Sequence, residues 1–291
     1  MNMRKTIAEV VTAVLIFLLV LPSSAQEKKE FSYTVGRRVV ISITNNYGPI
    51  SVGPSGNKRV LVTTVSHSAA VSFANEQRGR HIELRASSSR QGTDLADYRV
   101  LVPSGAVVHL RSSGGMLQAH GLRGGDVILE STGAPAQVND ASNIHVHMKT
   151  LSGPIELDDV RDSHLEVLSV SGNVRIHEVS GSWIEVNSGS GQITYEGDPG
   201  TGGDYQLTSH SGDIEVSIPA SSPVQINARA FNDESDLGLP DSGTVGTMGQ
   251  GNLLLPPGIG GASRFVLRSF RGKIRLSRPI DKSRPNFEPR P

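Results

Sequence analysis

The sequence predicts an all-β protein, a parallel β-solenoid (β-helix-like) with coils of about 19 residues and less regular strands on its N-terminal side. Three observations predict it. The first is a fixed spacing: Gly115, Ala134, Gly153, Gly172 and Gly191 stand 19 residues apart, and Gly212 follows after 21. Self-similarity at one period marks an array whose units bury their apolar faces against each other. The second is alternation with period two on both sides of each anchor, the pattern of a strand with one buried face. The third is that no segment beyond residue 26 sustains a 3.6-residue apolar period for more than two turns, so helices are not indicated.

Seven and five residues before the anchors stand Val108/Leu110, Val127/Leu129, Val146/Met148, Leu165/Val167, Ile184/Val186 and Tyr205/Leu207. Two and four residues after them stand Leu117/Ala119, Ala136/Val138, Ile155/Leu157, Val174/Ile176, Ile193/Tyr195 and Ile214/Val216. Leu122, Ala141, Val160 and Val179 add a fifth inward position. Copies around Gly48 (Ile41, Ile43, Ile50, Val52) and Gly272 (Phe265, Leu267, Ile274, Leu276) keep the same register. Only a coil stack requires units of constant length, because equivalent residues pair at about 4.8 Å. The Ser-Gly corners read as turns in which glycine supplies positive φ. The hydroxyl three residues before each anchor (Ser112, Ser131, Thr150, Ser169, Ser188, Ser209, Ser269) points inward as a corner hydrogen-bonder. A nucleophile would be one serine beside a base, whereas here every coil carries one.

Outside the array, residues 1–25 read as a secretory signal peptide: Arg4 and Lys5, an apolar run from Val10 to Leu21, then Pro22-Ser23-Ser24-Ala25. Twelve residues of helix span about 18 Å, against a hydrocarbon core of roughly 30 Å, so no membrane span is expected after cleavage. Residues 26–32 are a linker and 33–278 one solenoid domain. Within that domain, regular repeats cover about 104–218, a Gly/Asp/Pro-rich loop covers about 232–262, and a closing repeat covers 263–278. Residues 58–111 carry longer, less regular strands that extend or cap the stack. Residues 279–291, with four prolines, form a flexible tail.

Composition removes whole classes of function. The 291 residues include no cysteine, which excludes disulfides, thiolate metal sites, thiol nucleophiles and a lipoprotein anchor. Charge is balanced at 28 basic and 28 acidic residues, with no basic face interleaved with aromatics, so nucleic acid is not an expected partner.

The units Leu151-Ser152-Gly153-Pro154-Ile155-Glu156-Leu157, Val170-Ser171-Gly172-Asn173-Val174 and His210-Ser211-Gly212-Asp213-Ile214-Glu215-Val216 resemble the bacterial putative-adhesin family of β-strand-repeat proteins. That family is otherwise known as a domain of unknown function. Tyr98-Arg99-Val100-Leu101-Val102-Pro103 and Arg271-Gly272-Lys273-Ile274-Arg275-Leu276 fit it too, so the resemblance spans residues 33–278. It implies an exported, non-catalytic solenoid of the bacterial cell envelope, periplasmic or extracellular, with an adhesin-like, binding or structural role. No catalytic residue and no cofactor comes with it.

A coil stack sets one position of every coil in a column, and two outward columns stand out. Asp126, His145, His164 and Trp183 stand eight before the anchors, beside Ile128, His147, Glu166 and Glu185 six before them. His145, His164, Trp183, Glu166 and Glu185 are the candidate binding residues, since an exposed Trp suits sugar rings or a partner protein. The rival reading is a solvated face. The other column holds Asn139-Asp140, Asp158-Asp159, His177-Glu178 and Glu196. Clustered carboxylates of this kind serve polysaccharide-cleaving β-helix enzymes, with Asp158, Asp159 and Glu178 as the acids and bases. No metal motif accompanies them, and acidic residues in a polar turn account for the pattern. Expected partners are an envelope glycan or another surface protein, with self-association through the solenoid ends as a further route.

Overall fold

The computed structural model describes residues 27–36, 38–88, 96–231, 252–255 and 261–279. The signal peptide, most of the Gly/Asp/Pro-rich loop and all but the first residue of the tail lie outside these ranges. The described structure is all-β: 21 strands in one hydrogen-bonded sheet, with no helix.

The N-terminal strands are β1 (Glu27–Thr34), β2 (Val40–Thr44), β3 (Ile50–Pro54), β4 (Arg59–Ser66), β5 (Val71–Arg78), β6 (His81–Ser88) and β7 (Ala96–Val102). The array follows with β8 (Val107–Ser112), β9 (Leu117–His120), β10 (Asp126–Ser131), β11 (Ala136–Ser142), β12 (His145–Thr150), β13 (Ile155–Ser169), β14 (Val174–Ser188), β15 (Ile193–Glu196), β16 (Asp204–Ser209) and β17 (Ile214–Ser217). The last four are β18 (Val224–Ala230), β19 (Asn252–Leu255), β20 (Ser263–Ser269) and β21 (Ile274–Ser277).

Hydrogen bonding arranges these strands in two ladders. One runs β5–β6–β2–β8–β10–β12, continues through the second halves of β13 and β14, and ends β16–β20–β18–β19. The other runs β1–β4–β7–β3–β9–β11, through the first halves of β13 and β14, then β15–β17–β21. Within the array the pairing is parallel and joins residues 19 apart, as in Val127↔Val146 and Ile155↔Val174, or 21 apart at its last step, as in Ile184↔Tyr205 and Ile193↔Ile214. The expectation of a wholly parallel stack is corrected at the ends: β1–β4, β4–β7, β5–β6 and β18–β19 are antiparallel. Hairpins at an end need no full coil and leave less template for edge pairing.

Chain order and spatial order also part at the ends. The coil of β2 and β3 lies directly beside β8 and β9, while β6 and β7, later in sequence, lie outside it. Likewise β20 inserts between β16 and β18. The copies around Gly48 and Gly272 thus flank the array with nothing between.

Apolar side chains of both ladders meet in one interior, where Val108, Leu129, Val146, Ile184, Leu117, Ile155, Ile176 and their equivalents are fully buried. Each such burial contributes about 1.5–3 kcal/mol. A sixth inward column, Ala106, Gly125, Ile144 and Ser163, escapes the sequence pattern because its residues share no chemical type. Two extra residues in the coil before Gly212 coincide with larger side chains inside. Tyr195, Tyr205 and Phe265 pack with ring centroids 4.3–5.6 Å apart, and the Tyr195 and Tyr205 hydroxyls donate to the Val179 and Pro199 carbonyls at 2.8 Å.

Five of the seven corner hydroxyls bond their own corner as expected, whereas Thr150 Oγ1 is buried without a hydrogen-bond partner and Ser269 donates to the Gly212 carbonyl of the neighbouring coil at 3.4 Å. Ser131, Ser169 and Ser188 donate to the carbonyls of Ala134, Gly172 and Gly191, while Ser112 and Ser209 accept from the Gly115 and Gly212 amides, all at 2.5–2.9 Å. The anchor glycines need a different explanation from the one expected. None has positive φ. They are glycine because backbones touch: a Cβ on Gly172 would lie 2.0 Å from the Gly153 carbonyl oxygen, and one on Gly191 would lie 2.1 Å from that of Gly172.

Candidate functional site

Parallel register brings the ring column together. His145, His164 and Trp183 are directly opposite neighbours on β12, β13 and β14, and side chains in such a ladder stack about 4.8 Å apart. The His145 and His164 rings have centroids 5.5 Å apart, and His164 and Trp183 lie 6.3 Å apart with planes within 23°. His145 is exposed, and His164 and Trp183 are half-buried, each presenting part of its ring to solvent. The interplanar angle and offset lie in the range where aromatic pairs attract.

Charged residues close the stripe at both ends. Asp126 Oδ1 lies 3.4 Å from His145 Nδ1. Beyond Trp183 the register continues to Asp204 and then Arg264, which are ion-paired at 2.5 Å. Asp204 Oδ1 is buried and has no hydrogen-bond partner within the protein. Sequence reasoning stopped at Trp183; the same count before Gly212 and Gly272 reaches Asp204 and Arg264. The stripe from Asp126 to Arg264 is about 24 Å long, five ladder steps.

Glu166 and Glu185 are adjacent on the neighbouring column. Glu166 is bonded to His147 at 2.9 Å and Glu185 accepts from Asn187 at 2.9 Å. Both line the stripe with charge already engaged. Further along the same face, burial and the nearby His81 push His109 below the ordinary histidine range. His109 lines a cavity of about 260 Å³ with Ser42, Thr44, Glu83 and Arg85.

The acidic column is built otherwise. Asp140, Asp159 and Glu178 all adopt φ of +49° at one corner of three successive coils, and Gly121 and Gly197 take positive φ at the flanking ones. Asp tolerates this left-handed region better than most residues, which gives the aspartates a conformational reason to be there. Their carboxylates are also engaged: Asp159 with Arg161 at 2.7 Å, and Asp140 with Arg123 at 2.6 Å. Asp158 holds His177 Nδ1 at 2.6 Å, and that bond raises the His177 pKa above its ordinary value. Glu196, the last residue of this column, lines a cavity of about 470 Å³ with Thr194, Glu215, Ser217, Arg275 and Ser277, among others.

Among the described residues no cluster of His, Asp and Glu side chains could hold a metal ion. Nor is any described helix long and apolar enough to cross a membrane.

Solved structures with similar folds are remote in sequence. A putative adhesin from Bacteroides fragilis NCTC 9343 aligns over 87% of this chain and 98% of its own, at 10% identity and a TM-score of 0.44. A putative lipid binding protein from Parabacteroides distasonis ATCC 8503 covers 87% and 95%, at 12% identity and TM-score 0.44. A putative adhesin from Parabacteroides merdae ATCC 43184 covers 86% and 96%, at 10% identity and TM-score 0.39. No curated protein matches the chain in sequence. The family model described as Toastrack DUF4097 matches residues 39–241, well over half of the chain. The chain therefore belongs to the Toastrack DUF4097 family.

Proposed function

We propose that the protein is an exported, non-catalytic β-solenoid of the bacterial cell envelope that binds a glycan on the stripe formed by His145, His164 and Trp183. Residues 1–25 are its signal peptide, and residues 33–278 form one domain presented in the periplasm or at the surface. The observation that supports this reading is the contact of three rings on one outward column, bracketed by Asp126 and by the Asp204–Arg264 pair. Sugar rings offer flat C–H faces that stack on an indole and hydroxyls that bond to charged side chains.

A glycan panel read for both binding and cleavage tests it. Trp183→Ala is expected to weaken binding at least about tenfold, the loss of roughly 1.4 kcal/mol, while the thermal midpoint stays near that of the parent. Binding that survives both Trp183→Ala and His164→Ala would sink the proposal. Release of new reducing ends, abolished by Asp159→Ala, would replace it with a polysaccharide-cleaving enzyme.

A further inference from the structure

A second surface lies on the corner ridge just before the anchor glycines. Backbone pairing there sets six segments side by side: Lys149–Ser152, Leu168–Ser171, Asn187–Ser190, Thr208–Ser211, Arg268–Arg271 and Arg229–Phe231. The side chains two residues before each anchor, or in register with them, are Leu151, Val170, Gly189, His210, Phe270 and Phe231. Leu151, Val170, Phe270 and Phe231 are about half exposed, and so is Leu168 beside Val170. Phe270 stacks on Phe231 with centroids 5.0 Å apart and planes within 3°, and His210 lies 5.8 Å from Phe270. The row is about 24 Å long, five ladder steps. A run of this kind is unusual on a surface that otherwise alternates apolar-in with polar-out.

Its charge is one-sided. The six segments contain Lys149, Arg268, Arg271, Arg229 and His210 and not one carboxylate. Elsewhere on the outer faces, neighbouring coils pair opposite charges: Arg111 with Glu130, Arg264 with Asp204, Arg275 with Glu215. On the ridge, Lys149, Arg268 and Arg229 have no carboxylate within ion-pair distance among the described residues, and Arg229 sits 4.5 Å over the Phe231 ring. At Lys149, Arg268 and Arg229 the coil-to-coil ion pairing seen on the other faces is not made among the described residues.

We propose that this ridge is a docking surface for an anionic lipid bilayer. The apolar row needs an apolar phase, and the flanking cations fit negatively charged headgroups. A soluble polyanion would satisfy the cations and leave Leu151, Val170, Phe270 and Phe231 in water, so the bilayer matches both halves of the surface. The ridge does not involve the ring stripe, and the two bindings are separable.

The test is co-sedimentation of the full protein, recovered from the exported fraction, with phosphatidylglycerol/phosphatidylcholine vesicles and with phosphatidylcholine vesicles alone. Binding is expected only to the anionic vesicles and falls as salt rises. Replacing both phenylalanines (Phe231→Ser with Phe270→Ser) is expected to reduce the partition coefficient by more than about tenfold. Arg268→Gln should reduce it about fivefold, and Trp183→Ala should not change it. Three results overturn the proposal. The phenylalanine variant binds as well as the parent, which leaves electrostatics alone. The parent binds a soluble polyanion but no vesicle. Or the parent binds no vesicle and the phenylalanine variant unfolds earlier, which assigns the ridge to a contact within the chain.

Discussion

His145, His164 and Trp183 on one side, and Asp140, Asp159 and Glu178 on the other, are columns of the same coils at the same 19-residue step. The acidic column stands at a corner where three successive coils turn through φ of +49°, and its aspartates are tied to Arg123 and Arg161. The ring column stands on strand backbone, at the start of β12 and within β13 and β14, and none of its three residues has positive φ. In a repeat, residues that the bend selects recur for conformational reasons, and their recurrence says little about chemistry. Residues that no bend selects, yet that touch each other in solvent, are the better candidates for a ligand. The difference lies in φ, which a list of residue types does not show.

The most damaging substitution should fall on the geometry that keeps both columns in register. Gly172→Val places a branched side chain against the Gly153 carbonyl oxygen, where even a Cβ would lie at 2.0 Å. We expect a loss of about 2–3 kcal/mol or more in urea unfolding, the upper range for overpacking. Ala134 shows that one rung accepts a methyl, so Gly172→Ala should cost less. Equal and negligible losses for both would mean that the rungs are not held at contact distance.

The repeat, five of its inward columns and its corner serines were legible in the sequence because each of those columns holds one chemical type at a fixed step. The reason for the anchor glycines was not. Residue type alone does not separate a glycine needed for positive φ from one needed because a neighbouring carbonyl approaches, and the structure assigns Gly153, Gly172 and Gly191 to the second kind. The antiparallel ends escaped for another reason. Residues 58–88 alternate like the coils, and alternation is indifferent to strand direction. In the candidate site, the ring contacts followed from the period. The placement of Asp159 and Glu178 in a polar turn was legible too; the positive φ they share with Asp140 was not, because residue type alone does not report backbone conformation.

Next in size are the corner substitutions that separate conformation from chemistry. Asp159→Val puts a β-branched residue in the left-handed region and should lower stability by about 1–2 kcal/mol. Glu178→Gly removes the same conflict at the cost of glycine's greater freedom in the unfolded chain, so a gain of a few tenths up to about 1 kcal/mol is expected. Calorimetry of the two variants reads both signs. If Asp159→Val melts like the parent, the bend does not select the column and the contrast with the rings collapses.

The smallest effect belongs to the one acidic-column residue whose titration is visibly coupled to the coil. His177 Nδ1 is bonded to Asp158 at 2.6 Å, chiefly that bond raises its pKa, and burial opposes it. A histidine held above its unfolded value near 6.5 binds more protons in the folded state. Its stabilisation is therefore complete below about pH 6.5 and is lost as pH rises through the raised folded value. Both side chains are about half exposed, so solvent screening keeps the contribution below about 1 kcal/mol. Across that window, stability of the parent should fall relative to His177→Gln, and the two curves should run parallel at higher pH. Asp158→Asn should flatten the same segment, since it removes the partner rather than the histidine. Should His177→Gln instead flatten nothing while weakening glycan binding, the acidic column would hold a ligand after all, and the contrast with the rings would no longer stand.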